Sequence, residues 1–180
     1  MPAEPVRVYC ASPLGFSDAG RVFLEAVLKP AFVNAGLAMV DPWTLTDGDL
    51  IQRTLGMPLG EARRAALAEL NLVIGRNNAQ GIAGARGLFA VLDGVDVDSG
   101  TAAEIGFAAA AGLPMLGYRG DFRLSADNDG GIVNLQVEYF LRTSGDGLGT
   151  ILRAQDQLVA GLADLRERIL KSAQGIRSVI

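Results

Sequence analysis

The chain of 180 residues contains no histidine. That absence excludes Ser-His-Asp and Cys-His nucleophile pairs, imidazole general bases and most transition-metal sites. A single cysteine, Cys10, excludes an internal disulfide and a cysteine-rich zinc centre. Positive charge is also scarce: 16 Lys and Arg stand against 20 Asp and Glu, for a net charge of −4. Nucleic-acid phosphates and anionic lipid both require a basic face, so neither nucleic acid nor a membrane is expected as a partner. No apolar run approaches the ~20 residues that span a bilayer. The N-terminal stretch MPAEPVRVYCAS lacks the charged segment and apolar core of a secretory signal, so a reducing, cytoplasmic setting is expected. No P-loop and no GxGxxG follows the first strand-like run, which argues against NTP hydrolysis and dinucleotide use. Chemistry is left to carboxylates, amides, hydroxyls, Arg, Lys and the backbone.

What is present is a globular composition, 49 % apolar and 20 % charged, of a length that suits one domain over 1–180. The mean hydropathy of +0.27 is high for a soluble monomer and points to apolar surface covered by another subunit. Short apolar runs alternate with helical patterns, as in βαβ units. Strands are expected at 6–11, 37–40, 87–92 and 114–118. Helices are expected from Ser17 or Asp18 to about Asn34, kinked at Pro30, then over 61–85, 99–111, 133–143 and 154–173. Residues 44–59 are turn-prone, with a short helix at most. In the last helix, Leu158, Leu162, Leu165 and Ile169 form an apolar seam for domain packing or a subunit contact. The expected fold is α/β: a doubly wound, flavodoxin- or Rossmann-like parallel sheet of four to five strands with helices on both faces. Ligands of such sheets bind at the carboxyl ends of the strands, which makes Ser12, Asp41, Asp93 and Tyr118 candidates. Each of these also suits a helix cap or a turn, the more common role of Asp and Ser at such places.

The most informative segment is Asp98-Ser99-Gly100-Thr101-Ala102-Ala103-Glu104-Ile105-Gly106-Phe107, which continues into alanines. From Gly100 to Leu113 the only charge is Glu104. A helix apolar on every side is expected to be buried, and burying an unpartnered carboxylate costs several kcal/mol. A carboxylate kept there is a candidate nucleophile or base. Its place early in the helix is expected to favour the anion. The alternative is a glutamate that serves the helix dipole and pairs with an arginine. Asp98, six residues earlier, is a helix cap or a binder of ligand hydroxyls, and two carboxylates at one strand-to-helix junction suit a sugar.

The block LDGVDVDSGTAAEIGFAAAAGLP, together with Val8-Tyr9-Cys10-Ala11-Ser12-Pro13-Leu14-Gly15-Phe16 and Gly117-Tyr118-Arg119-Gly120-Asp121-Phe122-Arg123, resembles the nucleoside 2-deoxyribosyltransferase family over about residues 6–145. The resemblance implies transfer of a 2-deoxyribosyl group between nucleobases, with deoxynucleosides and free nucleobases as partners and with self-association. By motif, Glu104 matches the nucleophile, Asp98 the acid that binds sugar hydroxyls, and Tyr9 a tyrosine that orients the nucleophile. Asn134 matches an asparagine lent to a neighbouring subunit's site, and Asn78 falls beside the base. The implied double displacement at C1′ retains configuration and needs no cofactor and no metal. Asn78 cannot donate a proton as an acid would, which leaves Asp93 or water for that task, or no proton transfer for purines. Arg86 also departs from the family, which often has Asp there. Phe16 and Trp43 are candidates for stacking on the base, or rim contacts. Arg21, Arg119 and Arg123 either meet a 5′-phosphate or pair with Asp121 and Asp127. Two rival readings use the same scaffold. One is a deoxynucleoside 5′-monophosphate N-glycosidase with its phosphate on backbone amides near Ser12 to Ser17. The other is a non-catalytic nucleotide-sensing module.

Overall fold

A computed structural model of the chain describes residues 4–124 and 129–177, the side chains from 173 onward excepted. Five strands form one all-parallel sheet in the order β2-β1-β3-β4-β5. They are β1 (Val6–Ala11), β2 (Leu37–Val40), β3 (Gly87–Val91), β4 (Met115–Tyr118) and β5 (Thr150–Leu152). Strand order reverses beside β1, so the β1/β3 boundary is the switch point at which doubly wound sheets open a crevice. The expected fold class is the observed one.

Alternation along the strands builds two cores. Val8 and Cys10 of β1, Phe89 and Val91 of β3 and Leu116 and Tyr118 of β4 face one side. They meet α1 (Asp18–Phe23), α2 (Lys29–Asn34) and α7 (Leu158–Arg177). Tyr9, Ala11, Leu88, Ala90 and Met115 face the other. There they meet α4 (Glu61–Ala83), α5 (Ser99–Ala110) and α6 (Leu135–Thr143). The seam expected on α7 is fully sealed, with Leu158, Leu162, Leu165 and Ile169 at most 2 % exposed. It packs within its own domain against β2, β4 and α2.

Several boundaries differ from expectation for local reasons. The first long helix is split by a π turn over Leu24–Leu28. Pro30, in the first turn of α2, has no backbone N–H to continue an α-helical ladder, and the wider turn absorbs that gap. A helix α3 (Gly48–Leu55), capped by Asp47, lies within the turn-prone stretch and packs on α4. The fifth strand follows the glycine-rich run SGDGLG, and its three residues give almost no periodic signal. Before α7 the chain makes a 3₁₀ turn at Gln155–Gln157, where Gln157 Oε1 accepts the Arg153 and Ala154 amides at 2.9 and 3.1 Å. The largest departure concerns α5. Despite its apolar composition, Ala103, Phe107 and Ala110 are exposed, because α5 has sheet and neighbouring helices on only part of its circumference. Among the described residues, no helix is long and apolar enough to cross a membrane.

Candidate active site

The crevice at the switch point is a cavity of about 330 Å³. Its wall is assembled from Ser12 beyond β1, Phe16, Pro42 and Trp43 in two loops, Asn71, Ile74 and Asn78 of α4, and Asp98, Gly100, Thr101 and Glu104 at the start of α5. That volume is near the lower end of the roughly 300–1,000 Å³ typical of small-molecule sites.

Glu104 is placed by helical spacing. Asp98 caps α5, its Oδ2 accepting the Thr101 amide at 2.9 Å and the Thr101 hydroxyl at 3.3 Å. Thr101 and Glu104, three residues apart, then share the face that looks into the cavity. Tyr9 reaches Glu104 from β1, its hydroxyl donating to Oε1 at 2.6 Å. Asn78 donates to the same oxygen through Nδ2 at 3.3 Å. Oε2 accepts no hydrogen bond among the described residues. One oxygen of the carboxylate is therefore held, and the other is free.

Burial is the main influence on Glu104, and it pushes the carboxyl above the usual glutamate range. The hydrogen bond from Tyr9 opposes the rise, the Asp98 charge adds to it, and the Asn78 bond opposes it. The helix-end field expected to favour the anion does not set the direction of the shift. Glu104 is the sixth residue of α5, and the helix-end field fades within the first turn, so desolvation decides the direction. Burial and the neighbouring Glu104 raise the Tyr9 hydroxyl far above its ordinary value, which keeps it a proton donor.

An aromatic wall closes the outer side. Phe16 meets Trp43 edge to face at a centroid distance of 4.7 Å. Trp43 sits in a turn (Pro42–Thr44) fixed by Asp41, whose Oδ1 accepts the Trp43 amide at 3.1 Å. A Cβ at Gly15 would lie 2.2 Å from the Trp43 ring, so only glycine lets the indole lie on that loop. On the inner side, a Cβ at Gly81 would come within 2.8 Å of Leu45 Cδ1 and 3.1 Å of Tyr9 Cε2. Glycine there brings α4 close to the Tyr9 ring. Asn77 fixes the same loop, its amide donating to the Leu45 carbonyl at 3.2 Å and to Thr46 Oγ1 at 3.0 Å.

Of the residues expected from the sequence, Tyr9, Glu104, Asp98, Asn78, Ser12, Phe16 and Trp43 are brought together. Two buried polar atoms of this group, Ser12 Oγ and Asn78 Oδ1, have no partner among the described residues. Asp93 is elsewhere, accepting the Asp121 amide at 2.8 Å outside the cavity lining. Asn134 caps α6, accepting the Gln136 amide at 3.0 Å, and lines a separate hollow with Asp96, Ser99 and Phe140. Asp41 serves the Trp43 turn, and Tyr118 stacks on Phe23 at 5.7 Å on the opposite face of the sheet.

The arginines are engaged as well. Arg119 is fully buried and donates to the carbonyls of Leu92, Gly94 and Arg123, tying the end of β3 to the following loop. Arg123 pairs with Asp121 at 2.5 Å. Arg21 pairs with Asp18 at 2.6 Å and donates to the Gly15 carbonyl at 2.9 Å. Arg86 donates to the Ile169 carbonyl at 3.5 Å, a packing role. Asp127 lies outside the described residues. Sequence reasoning missed Asn71, Ile74, Pro42 and Thr101 as cavity residues. For the first two the signal existed, since positions 71, 74 and 78 share one helical face.

Three solved structures share the fold. A conserved protein from Enterococcus faecalis V583 is 19 % identical at a TM-score of 0.61, covering 89 % of this chain and 98 % of its own. A 2-desoxiribosyltransferase from Leishmania mexicana is 21 % identical at 0.59, with coverage of 89 % and 98 %. A 2-deoxyribosyltransferase from Bacillus psychrosaccharolyticus is 18 % identical at 0.54, with coverage of 86 % and 90 %. No curated protein matches the chain. The family pattern of nucleoside 2-deoxyribosyltransferases matches residues 8–138, a span that holds every residue of the cavity, and the chain belongs to that family.

Proposed function

We propose that the protein transfers a 2-deoxyribosyl group between nucleobases through a covalent ester on Glu104, with retention of configuration. The observation that carries this reading is the asymmetry of the Glu104 carboxylate, with Oε1 held by Tyr9 and Asn78 and Oε2 without a partner among the described residues. In the first step Oε2 attacks C1′ of the donor. The C1′–N bond breaks, and its electron pair leaves with the base. In the second step a nitrogen of the acceptor base attacks C1′ from the opposite side and gives up its proton to water, the C1′–O bond breaks, and the Glu104 carboxylate is restored. Two inversions give net retention. The missing 2′-hydroxyl eases the positive charge that develops on the sugar.

Asp98 supports the sugar. Its Oδ2 is committed to Thr101, which leaves Oδ1 for a sugar hydroxyl. Asn78 holds the nucleophile through its amide and has no proton to give the leaving base. With Asp93 outside the cavity lining, water supplies the proton that the departing base takes up. Among the described residues, no Lys or Arg lines the cavity, which favours a free nucleoside over a 5′-monophosphate. The reading includes self-association, with Asn134 completing a neighbour's site. Its support is that Asn134 lies at a separate hollow and not in its own chain's cavity.

The test is incubation with deoxyinosine plus adenine, and separately with dIMP. Deoxyadenosine formation supports transfer. Free base released only from the monophosphate would support the N-glycosidase instead. Glu104→Ala should abolish turnover while the fold persists, and unchanged activity would remove the nucleophile assignment.

A further inference from the structure

The Phe16–Trp43 wall is held from outside the cavity. Asp41, at the end of β2, is the hub of the Trp43 turn. Its carbonyl accepts the Thr44 amide at 3.0 Å and the Thr44 hydroxyl at 2.9 Å, and its Oδ1 accepts the Trp43 amide at 3.1 Å. The remaining carboxylate oxygen, Oδ2, lies 3.3 Å from Nζ of Lys29, the first residue of α2. Among the described residues, Lys29 is the one cation at ion-pair distance from Asp41. The Asp41 side chain is only 9 % exposed, so this is not the weak pairing of two solvated groups. Lys29 also pairs with Glu25 at 2.5 Å. The bond to Glu25 and, against the effect of burial, the bond to Asp41 hold the Lys29 ammonium above its ordinary range, so it is charged at neutral pH. The helix delivers this residue through the π turn: the Lys29 amide bonds to the Leu24 carbonyl, five residues back. One extra residue in a turn rotates the side chains that follow by about 100° relative to an uninterrupted α-helix.

We infer that Lys29 is a positioning residue, which holds Asp41 Oδ2 so that Oδ1 stays on the Trp43 amide and the indole stays in the cavity wall. The consequence for substrate rests on the proposed reading of the cavity as a nucleoside site, in which a flat base lies against that wall. A carboxylate tied at one oxygen turns about its own side-chain bonds, whereas one tied at both oxygens keeps a single orientation. Gly15 puts no Cβ beneath the indole, so the ring depends on its turn for its place. Lys29 itself does not line the cavity. It belongs to a helix on the opposite face of the sheet, and the pair with Asp41 carries the position of that helix to the substrate side.

Trp43 is the only tryptophan of the chain, so its fluorescence reports on this turn alone. The test compares wild type with Lys29→Met, which keeps the apolar stem and removes the charge, and with Lys29→Arg, which restores the charge. Asp41→Asn is a second route to the same loss, since it keeps an acceptor for the Trp43 amide and offers Lys29 no anion. Trp43 is 40 % exposed, so its release in Lys29→Met should raise the acrylamide quenching constant of the ligand-free protein up to about twofold. With adenine as acceptor, the KM for deoxyinosine should rise about threefold to tenfold, with kcat within about twofold. Lys29→Arg should recover both values, and Asp41→Asn should move both in the direction of Lys29→Met. The double variant of Lys29→Met and Asp41→Asn should be no worse than the worse single variant. Quenching and KM unchanged in Lys29→Met while Tm falls, a loss in kcat at constant KM, or no recovery in Lys29→Arg would overturn the inference. If quenching follows this pattern while the wild-type protein transfers no deoxyribosyl group, the transfer proposal fails and the positioning of Trp43 by Lys29 stands.

Discussion

The two faces of the sheet are built from alternate residues of the same strands, yet they differ in what they leave unfinished. On the face covered by α1, α2 and α7, the apolar seam is closed, and the buried cation Arg168 is held by Asp146 at 2.7 Å. On the face covered by α4, α5 and α6, Tyr9, Asn78 and Ser12 surround a half-buried carboxylate. Buried polar atoms without a hydrogen-bond partner among the described residues occur on both faces, Ser12 Oγ and Asn78 Oδ1 here and Arg166 Nε and Arg168 Nη1 on the other, so the difference lies in the carboxylate. Charge is buried on both faces, but only one of them neutralises it. A paired ion consolidates a fold, whereas an unpaired carboxylate beside a cavity stores a cost that substrate chemistry can use.

The closed face should respond to mutation in stability and not in rate. Leu162→Ala is expected to cost about 3 kcal/mol, since Leu162 is 0 % exposed and its removal leaves a cavity. Chemical denaturation measures this, and the kcat of the protein that remains folded should be unchanged. An effect on kcat as large as the effect on stability would break the comparison.

Asp146→Ala is expected to cost about 2 kcal/mol, less than a fully isolated buried pair because Arg168 keeps its bond to the Met115 carbonyl at 3.3 Å. Burial alone would raise the Asp146 carboxyl, but its hydrogen bonds to Arg168 and the Leu148 amide outweigh burial and hold it below the usual range. The stability it supplies is therefore present above the unfolded carboxylate value of about 3.9 and is lost as pH falls through the lower folded value. Acid titration of wild type and variant should converge in that window.

The open face should respond in rate. Tyr9→Phe removes a charge-assisted bond of 2.6 Å and should lower kcat roughly 10- to 100-fold with little change in KM. Equal rates would mean that the held oxygen does not matter. Glu104→Gln, which should end turnover, should have the smallest effect on stability, and it should be stabilising: a rise in Tm of roughly 2–4 °C at pH 7. The sign follows from the raised folded carboxyl. Between the unfolded value of about 4.3 and the higher folded value, the native state holds more protons, so wild-type stability falls as pH rises through that window. The gain from Gln should therefore vanish below it. The same raised value places the acid limb of activity above the ordinary glutamate range, because the nucleophile must be ionised.

Much of the closed face is legible in the sequence. Leu158, Leu162, Leu165 and Ile169 repeat at helical spacing, and the β-branched run of β1 ends at a turn cluster. Glu104 is legible too, as a lone charge among alanines. Its protonation preference is not, because desolvation depends on which elements cover it and not on its own helix. The exposure of Phe107 escaped for a related reason, since composition tells that a helix is apolar but not how much of it is covered. β5 is too short to carry a pattern. Arg119 suits a 5′-phosphate or an ion pair with Asp121 or Asp127 by sequence, whereas the carbonyls left at the end of β3 and in the following loop claim its guanidinium.

The most direct test of the unpaired carboxylate as nucleophile is mass spectrometry of the protein quenched with acid during turnover of deoxyinosine without an acceptor base. The account predicts a deoxyribosyl ester on the peptide that contains Glu104, formed with a stoichiometric burst of hypoxanthine. A burst of hypoxanthine with that peptide unmodified, or an adduct on another residue, would contradict it.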